Sequence, residues 1–321
     1  MLLLWSRQPL TLATDKLELT LEKNASQSVA QTIVAAGVQT SPALLQWWFR
    51  LSGDAKKIKA GVYEIEQGAT PQSLLTMLVS GKQALLSVTL VEGWNFAQLR
   101  EAIGKAAHLK PDTQQLSSSE LMDKLGKPGV KPEGRFFPDT YTYARGSSDW
   151  VVWKMAMQAM DKHLDAAWAQ RQPDLPLKNA DEALILASII EKETASKQDR
   201  AMVGSVFNNR LKINMPLQTD PTVLYGASVN SKGEYAGAYE GPWLAAKAQK
   251  NAWNTYQITG LPRTPIAMPG KASLLAAVQP ASSNALYFVA KGDGTGASTF
   301  SATLAEHNRA VSQYIQNQAK K

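Results

Sequence analysis

The regular patterning of the chain starts with a strand, because apolar and polar residues alternate over LELTLE, residues 17–22. Apolar residues then recur at helical spacing over residues 26–36. A second helix is predicted from Ser41, where a capping serine precedes a first-turn proline. Another strand pattern follows in KAGVYEIEQG. Together these patterns predict a compact strand, helix, helix, strand unit over about residues 17–67.

Helical spacing returns several times in the middle of the chain. Thr70 and Asn95 each lie two residues after a glycine, and each is predicted to be the N-cap of a helix with one apolar face. A stretch rich in Pro, Gly, Ser and Lys then predicts loops around one short helix. The further predicted helices cover residues 120–124, 150–170, 181 onwards and 199–212.

The last third of the chain has weaker periodicity. A polar, glycine-bearing stretch after residue 212 predicts loops. ALYFVAKGDGTGASTF predicts a hairpin with a glycine-rich turn, closed by a final helix from about Thr303. The overall prediction is an α+β fold.

Two glutamates stand one residue apart in ASIIEKETAS, at the end of an apolar helix. Because each helical residue turns by about 100°, Glu191 and Glu193 face nearly opposite directions and cannot cooperate on one helix face. Glu193 falls between Leu186 and Ile189, whereas Glu191 lies at the edge of the apolar arc. We therefore expect Glu193 to be the more deeply embedded carboxyl group.

A carboxyl group in apolar surroundings resists ionisation and can deliver its proton to a leaving oxygen. This property suits Glu193 to general acid catalysis. The alternative is a glutamate near a helix end that is only solvated, or paired with Lys192, Lys197 or Arg200.

Composition and the absence of certain motifs exclude several other kinds of catalytic or binding site. The 321 residues are 44% hydrophobic, which is ample for a buried core, and the absence of cysteine excludes disulfides and thiolate catalysis. The net charge of +7 fits either an anionic polymer or surface as partner, or a solvated basic face. His108, His163 and His307 lack the spacing of zinc ligands. No P-loop, dinucleotide fingerprint or serine nucleophile elbow is present.

Five ordered motifs carry a resemblance to a known family. The chain resembles the MltG (YceG-like) endolytic murein transglycosylases over residues 18–321, and the motifs are ASIIEKETAS, FFPDTY, LQTDPTVLYG, NTY and GLPRTPIAMPG. The resemblance implies a small LysM-like subdomain at residues 17–83, followed by a larger mixed α+β catalytic domain at residues 84–321. It also implies that residues 1–16, which open with MLLLW, are the remnant of an N-terminal membrane anchor or a linker.

The resemblance also assigns residues to the site. The wider class carries a catalytic Glu followed by Ser at a helix end, and Glu193 followed by Thr194 is the closest counterpart, with Glu191 in a supporting role. No cofactor and no metal are implied. Six residues with polar or aromatic side chains are expected to contact the sugar substrate. The ordinary chemistry of turns also accounts for several of them. They are Gln218, Thr219, Asp220, Asn254, Thr255 and Tyr256.

The implied activity is cleavage of the MurNAc-β-1,4-GlcNAc bond within peptidoglycan strands, leaving 1,6-anhydro-MurNAc ends. The alternatives are a non-catalytic peptidoglycan-binding adaptor of the wall-synthesis machinery and a conventional hydrolase. The family further implies a single-pass protein of the cell inner membrane, with the catalytic domain on the periplasmic side near membrane-bound peptidoglycan synthases. No helix clusters Arg and Lys as a nucleic-acid binder would.

Overall fold

The computed structural model describes residues 2–22, 28–82, 84–193, 196 and 198–319. The mixture of helices and small sheets confirms the α+β class. The helices are α1 (Leu2–Trp5), α2 (Val29–Ala35), α3 (Pro42–Leu51), α4 (Pro71–Ser80), α5 (Phe96–Gly104), α6 (Ser118–Lys124), α7 (Trp150–Ala169), α8 (Ala180–Glu193), α9 (Arg200–Lys212), α10 (Asp220–Ala227), α11 (Trp243–Ala248), α12 (Lys271–Val278) and α13 (Leu304–Ala319). The strands are β1 (Thr11–Leu12), β2 (Lys16–Leu21), β3 (Val38–Gln39), β4 (Gly61–Glu66), β5 (Leu85–Thr89), β6 (Thr140–Ala144), β7 (Tyr287–Ala290) and β8 (Ser298–Ser301).

One compact unit comprises residues 1–88, 105–112 and 142–151. In it β2 pairs antiparallel with β4, and Leu19 stands opposite Tyr63. Alternate leucines of β2 point into a core shared with α2, α3 and α4. The predicted order of strand, helix, helix and strand is confirmed, and the short β3 between the helices pairs with β1. A LysM-like character and the predicted domain boundaries stay predictions.

The helix starts of this unit follow the capping rules. Ser41 is the N-cap of α3 with a proline in the first turn, as predicted. Thr70 caps α4 through a reciprocal pair of hydrogen bonds with Ser73. Ser28 does the same for α2, while the start predicted at Ser26 lies outside the described residues. Local polar residues therefore set these boundaries.

The second unit comprises residues 89–104, 113–141 and 152–321. Helix α8 is its centre, because most of its residues from Ala183 to Ile190 are fully buried. Helix α12 packs against both α8 and α9. The approach of α9 is close, since a Cβ atom on Gly204 would lie 3.0 Å from the carbonyl carbon of Ala276 and closer still to its oxygen.

The loop predicted after residue 212 is wrong in part, because α10, α11 and α12 lie in that stretch. The prediction treats Pro and Gly as helix breakers. In the structure they stand where helices begin: Pro221 in the first turn of α10, Pro242 at the N-cap of α11 and Gly270 at the N-cap of α12. The final hairpin of β7 and β8 is confirmed.

A buried carboxyl group, Glu133, joins two helices of this unit. Its Oε1 accepts the backbone N–H of Phe96 at the start of α5, and its Oε2 is hydrogen-bonded to the hydroxyl of Tyr225 in α10, both at 3.0 Å. Burial raises the pKa of Glu133 to about 8. The group therefore holds its proton in the folded protein at neutral pH.

Replacing Glu133 with Gln should flatten the pH dependence of stability. The folded pKa of about 8 exceeds the ordinary value of 4.5, so the folded state binds the proton more tightly than the unfolded chain does. The contribution of this proton is fully present below pH 4.5 and is lost as the pH rises towards 8, by at most about 1.4 kcal/mol per pH unit. Urea unfolding at pH 5, 7 and 8.5 measures the slope. A variant that keeps the wild-type slope would contradict this assignment.

Within the described residues, no helix is both long and apolar enough to cross a bilayer.

Candidate active site

Glu193 is the last residue of α8, and Thr219 is its hydrogen-bonding partner. The Thr219 hydroxyl donates to Glu193 Oε2 at 2.5 Å. Burial raises the pKa of Glu193, and the negative charge of Asp220 raises it further, while Thr219 and Arg210 oppose the shift. The carboxyl group is thus biased towards the protonated form that a general acid needs. Thr194, the predicted counterpart of the serine that follows the catalytic glutamate, lies outside the described residues.

Glu193 opens into a cleft of about 370 Å³. Its wall is built from α8, α9, the start of α10, β7 and the start of α13. The lining residues are Glu193, Phe207, Arg210, Leu217, Gln218, Thr219, Asp220, Tyr256, Tyr287, Phe288, Leu304 and His307. The wall combines polar groups with aromatic rings, as sites that bind sugars do.

Three of the predicted substrate residues reach this cleft with an accessible side chain. Gln218 is exposed and has a φ of +48°, which turns the chain just before α10. The Tyr256 hydroxyl donates to Asp220 Oδ1 at 2.8 Å, and both residues line the cleft. Gln218, Asp220 and Tyr256 can therefore contact a ligand beside Glu193.

Thr219 is held by two further threonines. Its backbone N–H donates to Thr255 Oγ1 at 3.1 Å, and Thr255 Oγ1 shares a hydrogen bond of 2.7 Å with Thr222 Oγ1. Thr222 and Thr255 are both fully buried. The prediction that Thr255 contacts substrate is corrected here, because its hydroxyl is enclosed and serves to position Thr219.

Asn254 needs the same correction. It is fully buried, and its Nδ2 donates to the carbonyl oxygens of Lys247 at 2.9 Å and Gln249 at 2.7 Å. Its Oδ1 accepts the backbone N–H of Tyr256 at 3.0 Å. Since both ends of the amide are engaged, Asn254 fixes the loop that carries Tyr256 and does not face the cleft.

Glu191 points to a different part of the structure. Its Oε2 accepts the backbone N–H of Gly270, the N-cap of α12, at 2.9 Å, and its Oε1 lies 3.6 Å from Arg200 Nη2. The side chain is only 6% exposed, so Glu191 is deeply embedded as well, and the expectation that Glu193 is the deeper of the two stays a prediction. The two carboxyl groups differ in their partners. Glu191 interacts with Arg200 and a backbone N–H, whereas Glu193 accepts a hydrogen bond from a threonine hydroxyl at the wall of a cleft. The supporting role of Glu191 stays a prediction.

Sequence patterns missed Arg210, which lies in α9 against this cleft. It is 8% exposed, and its guanidinium donates from Nε to the carbonyl oxygen of Leu286 and from Nη1 to that of Leu217, both at 2.7 Å. The signal that could have revealed it is its spacing, because it follows the buried Val203 and Phe207 at seven and three residues. An arginine on an apolar helix face needs partners in the fold.

Replacing Thr219 with Val should move the alkaline limb of the activity profile to higher pH. The Thr219 hydroxyl lowers the pKa of Glu193 by donating to its carboxyl oxygen, so its removal raises that pKa. A general acid works in its protonated form, so activity should persist to higher pH. The maximal rate should fall about tenfold, as expected for a lost hydrogen bond worth roughly 1–1.5 kcal/mol. Measuring kcat/KM against pH tests this, with Thr219→Ser as the variant that should restore the wild-type profile.

Among the residues that the structure describes, no group of three or more His, Asp or Glu side chains is arranged to hold a metal ion.

Comparisons with known proteins find a family model, named relatives and a solved structure that are similar to this chain. Residues 19–313 match the YceG-like family. A Bacillus subtilis protein named endolytic murein transglycosylase is 30% identical over 92% of this chain and 83% of its own. A Streptococcus pneumoniae protein of the same name is 24% identical over 90% of this chain, which spans 56% of that relative. A crystal structure of a putative yceG-like protein from Listeria monocytogenes superimposes with a TM-score of 0.54 at 26% identity, covering 92% of this chain and 98% of the other.

Proposed function

The chain belongs to the YceG-like family. We therefore propose that it is an endolytic murein transglycosylase, an enzyme that cleaves peptidoglycan strands at internal glycosidic bonds. The observation that carries the proposal is the Glu193 carboxyl group, which burial biases towards its protonated form at the wall of an accessible cleft. The names of the Bacillus subtilis and Streptococcus pneumoniae relatives support the same activity.

The proposed reaction needs one carboxyl group in two successive roles. Glu193 gives its proton to the glycosidic oxygen of the MurNAc-β-1,4-GlcNAc bond while the C1–O bond breaks and positive charge develops at C1. The resulting carboxylate then takes the proton from the muramoyl 6-hydroxyl, whose oxygen bonds to C1 and closes a 1,6-anhydro ring. Glu193 ends protonated, and no water is consumed.

Neighbouring groups suit these two roles. Arg210 stabilises the negative form of Glu193 that exists between the two proton transfers, because its charge lowers the pKa of that carboxyl group. The amide of Gln218 and the paired Asp220 and Tyr256 offer hydrogen bonds to acetamido and hydroxyl groups. Thr219, held by the buried Thr255, keeps the acid in place.

A conventional hydrolase is the second candidate, and one observation favours it. Asp220 lines the same cleft as Glu193, so a second carboxylate is available beside the proposed acid. Glycoside hydrolases use such a pair, with one carboxylate activating water or attacking C1. The products separate the two reactions, because water is added only in hydrolysis.

Digestion of purified sacculi tests the proposal. Mass spectrometry should find fragments ending in 1,6-anhydro-MurNAc, which are lighter by one water than fragments with reducing MurNAc ends. Reducing ends would establish hydrolysis instead. No fragments from protein that binds sacculi and is folded by circular dichroism would establish the adaptor.

The cellular setting follows from the same proposal. Peptidoglycan as substrate requires the cleft to face the wall, and a position on the periplasmic side of the cell inner membrane stays a prediction. Attachment through an N-terminal membrane helix and contact with membrane-bound synthases stay predictions.

A further inference from the structure

A second cavity lies directly beside the Glu193 cleft. Its volume is about 420 Å³, and we call it the Lys192 pocket. Lys192 and Pro221 line it, while their sequence neighbours Glu193 and Asp220 line the cleft. The end of α8 and the start of α10 therefore contribute neighbouring residues to two spaces within the same unit.

The Lys192 pocket carries positive charge without a matching carboxylate among the described residues that line it. The Lys192 ammonium donates to the carbonyl oxygen of Gly93 at 3.2 Å and is otherwise exposed. Two acids close to Lys192 do not neutralise it, because Glu133 holds its proton up to about pH 8 and Glu191 is bound to Arg200 and a backbone amide.

Two amide side chains add hydrogen-bond donors to the pocket. Asn95 and Gln98 cap α5 reciprocally, each using its side-chain oxygen to accept the backbone N–H of the other, at 2.9 Å and 3.0 Å. The oxygens are thereby occupied, and the NH₂ groups remain available as donors. Together with Lys192 they favour an acceptor-only ligand such as a carboxylate.

Part of the pocket lining is apolar. Leu224 is 46% exposed, although its neighbours Val223 and Tyr225 on α10 are buried. Pro221, Tyr235 and Tyr239 extend this surface. A ligand that matches both the basic and the apolar lining carries carboxylates and small apolar groups on one chain, as an acidic peptide does.

We propose that the Lys192 pocket binds the peptide stem of the muramoyl residue whose sugar lies in the Glu193 cleft, with a stem carboxylate at Lys192. This assignment rests on the proposed function, since it takes the murein strand as ligand. An extended peptide advances about 3.3–3.6 Å per residue, so a stem of three residues reaches roughly 10 Å from the sugar. The pocket would make the enzyme prefer strands that still carry peptides.

Two substrates and three variants test the proposal. The substrates are peptide-bearing strands and the same strands stripped of peptides by an amidase. Lys192→Gln keeps a donor for Gly93 but removes the charge, so KM on peptide-bearing strands should rise about five- to tenfold with kcat unchanged, as for a lost ion pair of roughly 1 kcal/mol. Lys192→Arg should restore KM. Lys154→Gln, an exposed lysine of α7 that lines neither cavity, should behave as wild type.

Two other outcomes would overturn the assignment of the Lys192 pocket to the peptide stem. An equal rise of KM on both substrates would make the pocket a sugar site, and no rise on either would remove it from binding. Isothermal titration of a soluble acidic stem peptide into wild type and Lys192→Gln separates this inference from the proposed activity. Binding that depends on Lys192, from a protein that cleaves no strand, would retain the pocket and reject the transglycosylase.

Discussion

Replacing Glu193 with Gln should abolish strand cleavage while leaving the fold intact. The amide keeps the size of the side chain and can still accept the hydrogen bond of Thr219, but it has no proton to give to the glycosidic oxygen. Removing a positioned general acid costs about 10²–10⁴-fold in rate, and here the same group also acts as the base. The expected loss is therefore at the upper end of that range or beyond. Release of anhydro-muropeptides from sacculi measures it, and circular dichroism checks the fold.

Glu191→Gln is the matched control, two residues away on the same helix. Its amide oxygen can still accept the N–H of Gly270, and only a long contact of 3.6 Å with Arg200 is lost. We expect substantial activity and a small drop in melting temperature. A variant series in which Glu191→Gln is dead and Glu193→Gln is active would reverse the assignment of the acid.

Gly204→Ala should destabilise the protein although it adds only one methyl group. The new Cβ atom would overlap the backbone carbonyl of Ala276, and a backbone atom cannot rotate away as a side chain can. Helices α9 and α12 must then separate, and such overpacking costs about 1–3 kcal/mol. The higher helix propensity of Ala returns at most about 1 kcal/mol. Chemical unfolding should show a net loss of roughly 1 kcal/mol, and the melting temperature should fall by a few degrees.

Gly104→Ala provides the opposite expectation. Gly104 is the last residue of α5, and a Cβ atom there would meet nothing within 4 Å. The substitution should raise stability by about 0.5–1 kcal/mol, because Ala loses less conformational entropy in a helix. Equal effects of the two substitutions would show that contact between α9 and α12 is looser than the structure indicates.

Local sequence signals predicted elements wherever a periodic face or a capping residue was present. The strand β2 and the helices α3, α4 and α8 follow from alternation, helical spacing and caps at Ser41 and Thr70. Helical geometry also predicted that Glu191 and Glu193 face different surroundings, because that separation depends only on the turn per residue. Their partners confirm different surroundings, with Gly270 on one side and Thr219 on the other.

What the sequence could not predict depends on contacts between distant segments. Asn254 and Thr255 are the kinds of residue that bind sugars, yet the surrounding carbonyl and hydroxyl groups enclose them. Arg210 has no local motif, and its role is evident only when α9 and β7 come together. The short helices α10 and α12 begin at Pro and Gly, which by themselves predict turns as readily.

The two sides of the Glu193 cleft differ in how firmly they are held. Helix α13, described along its whole length, contributes Leu304 and His307 to the cleft, yet none of its residues is fully buried. Helix α8 is buried over most of its length. Native-state hydrogen exchange should therefore protect the amides of α8 far longer than those of α13. Detachment of α13 would widen the cleft for a bulky polymer, while Glu193 at the end of α8 would keep its position.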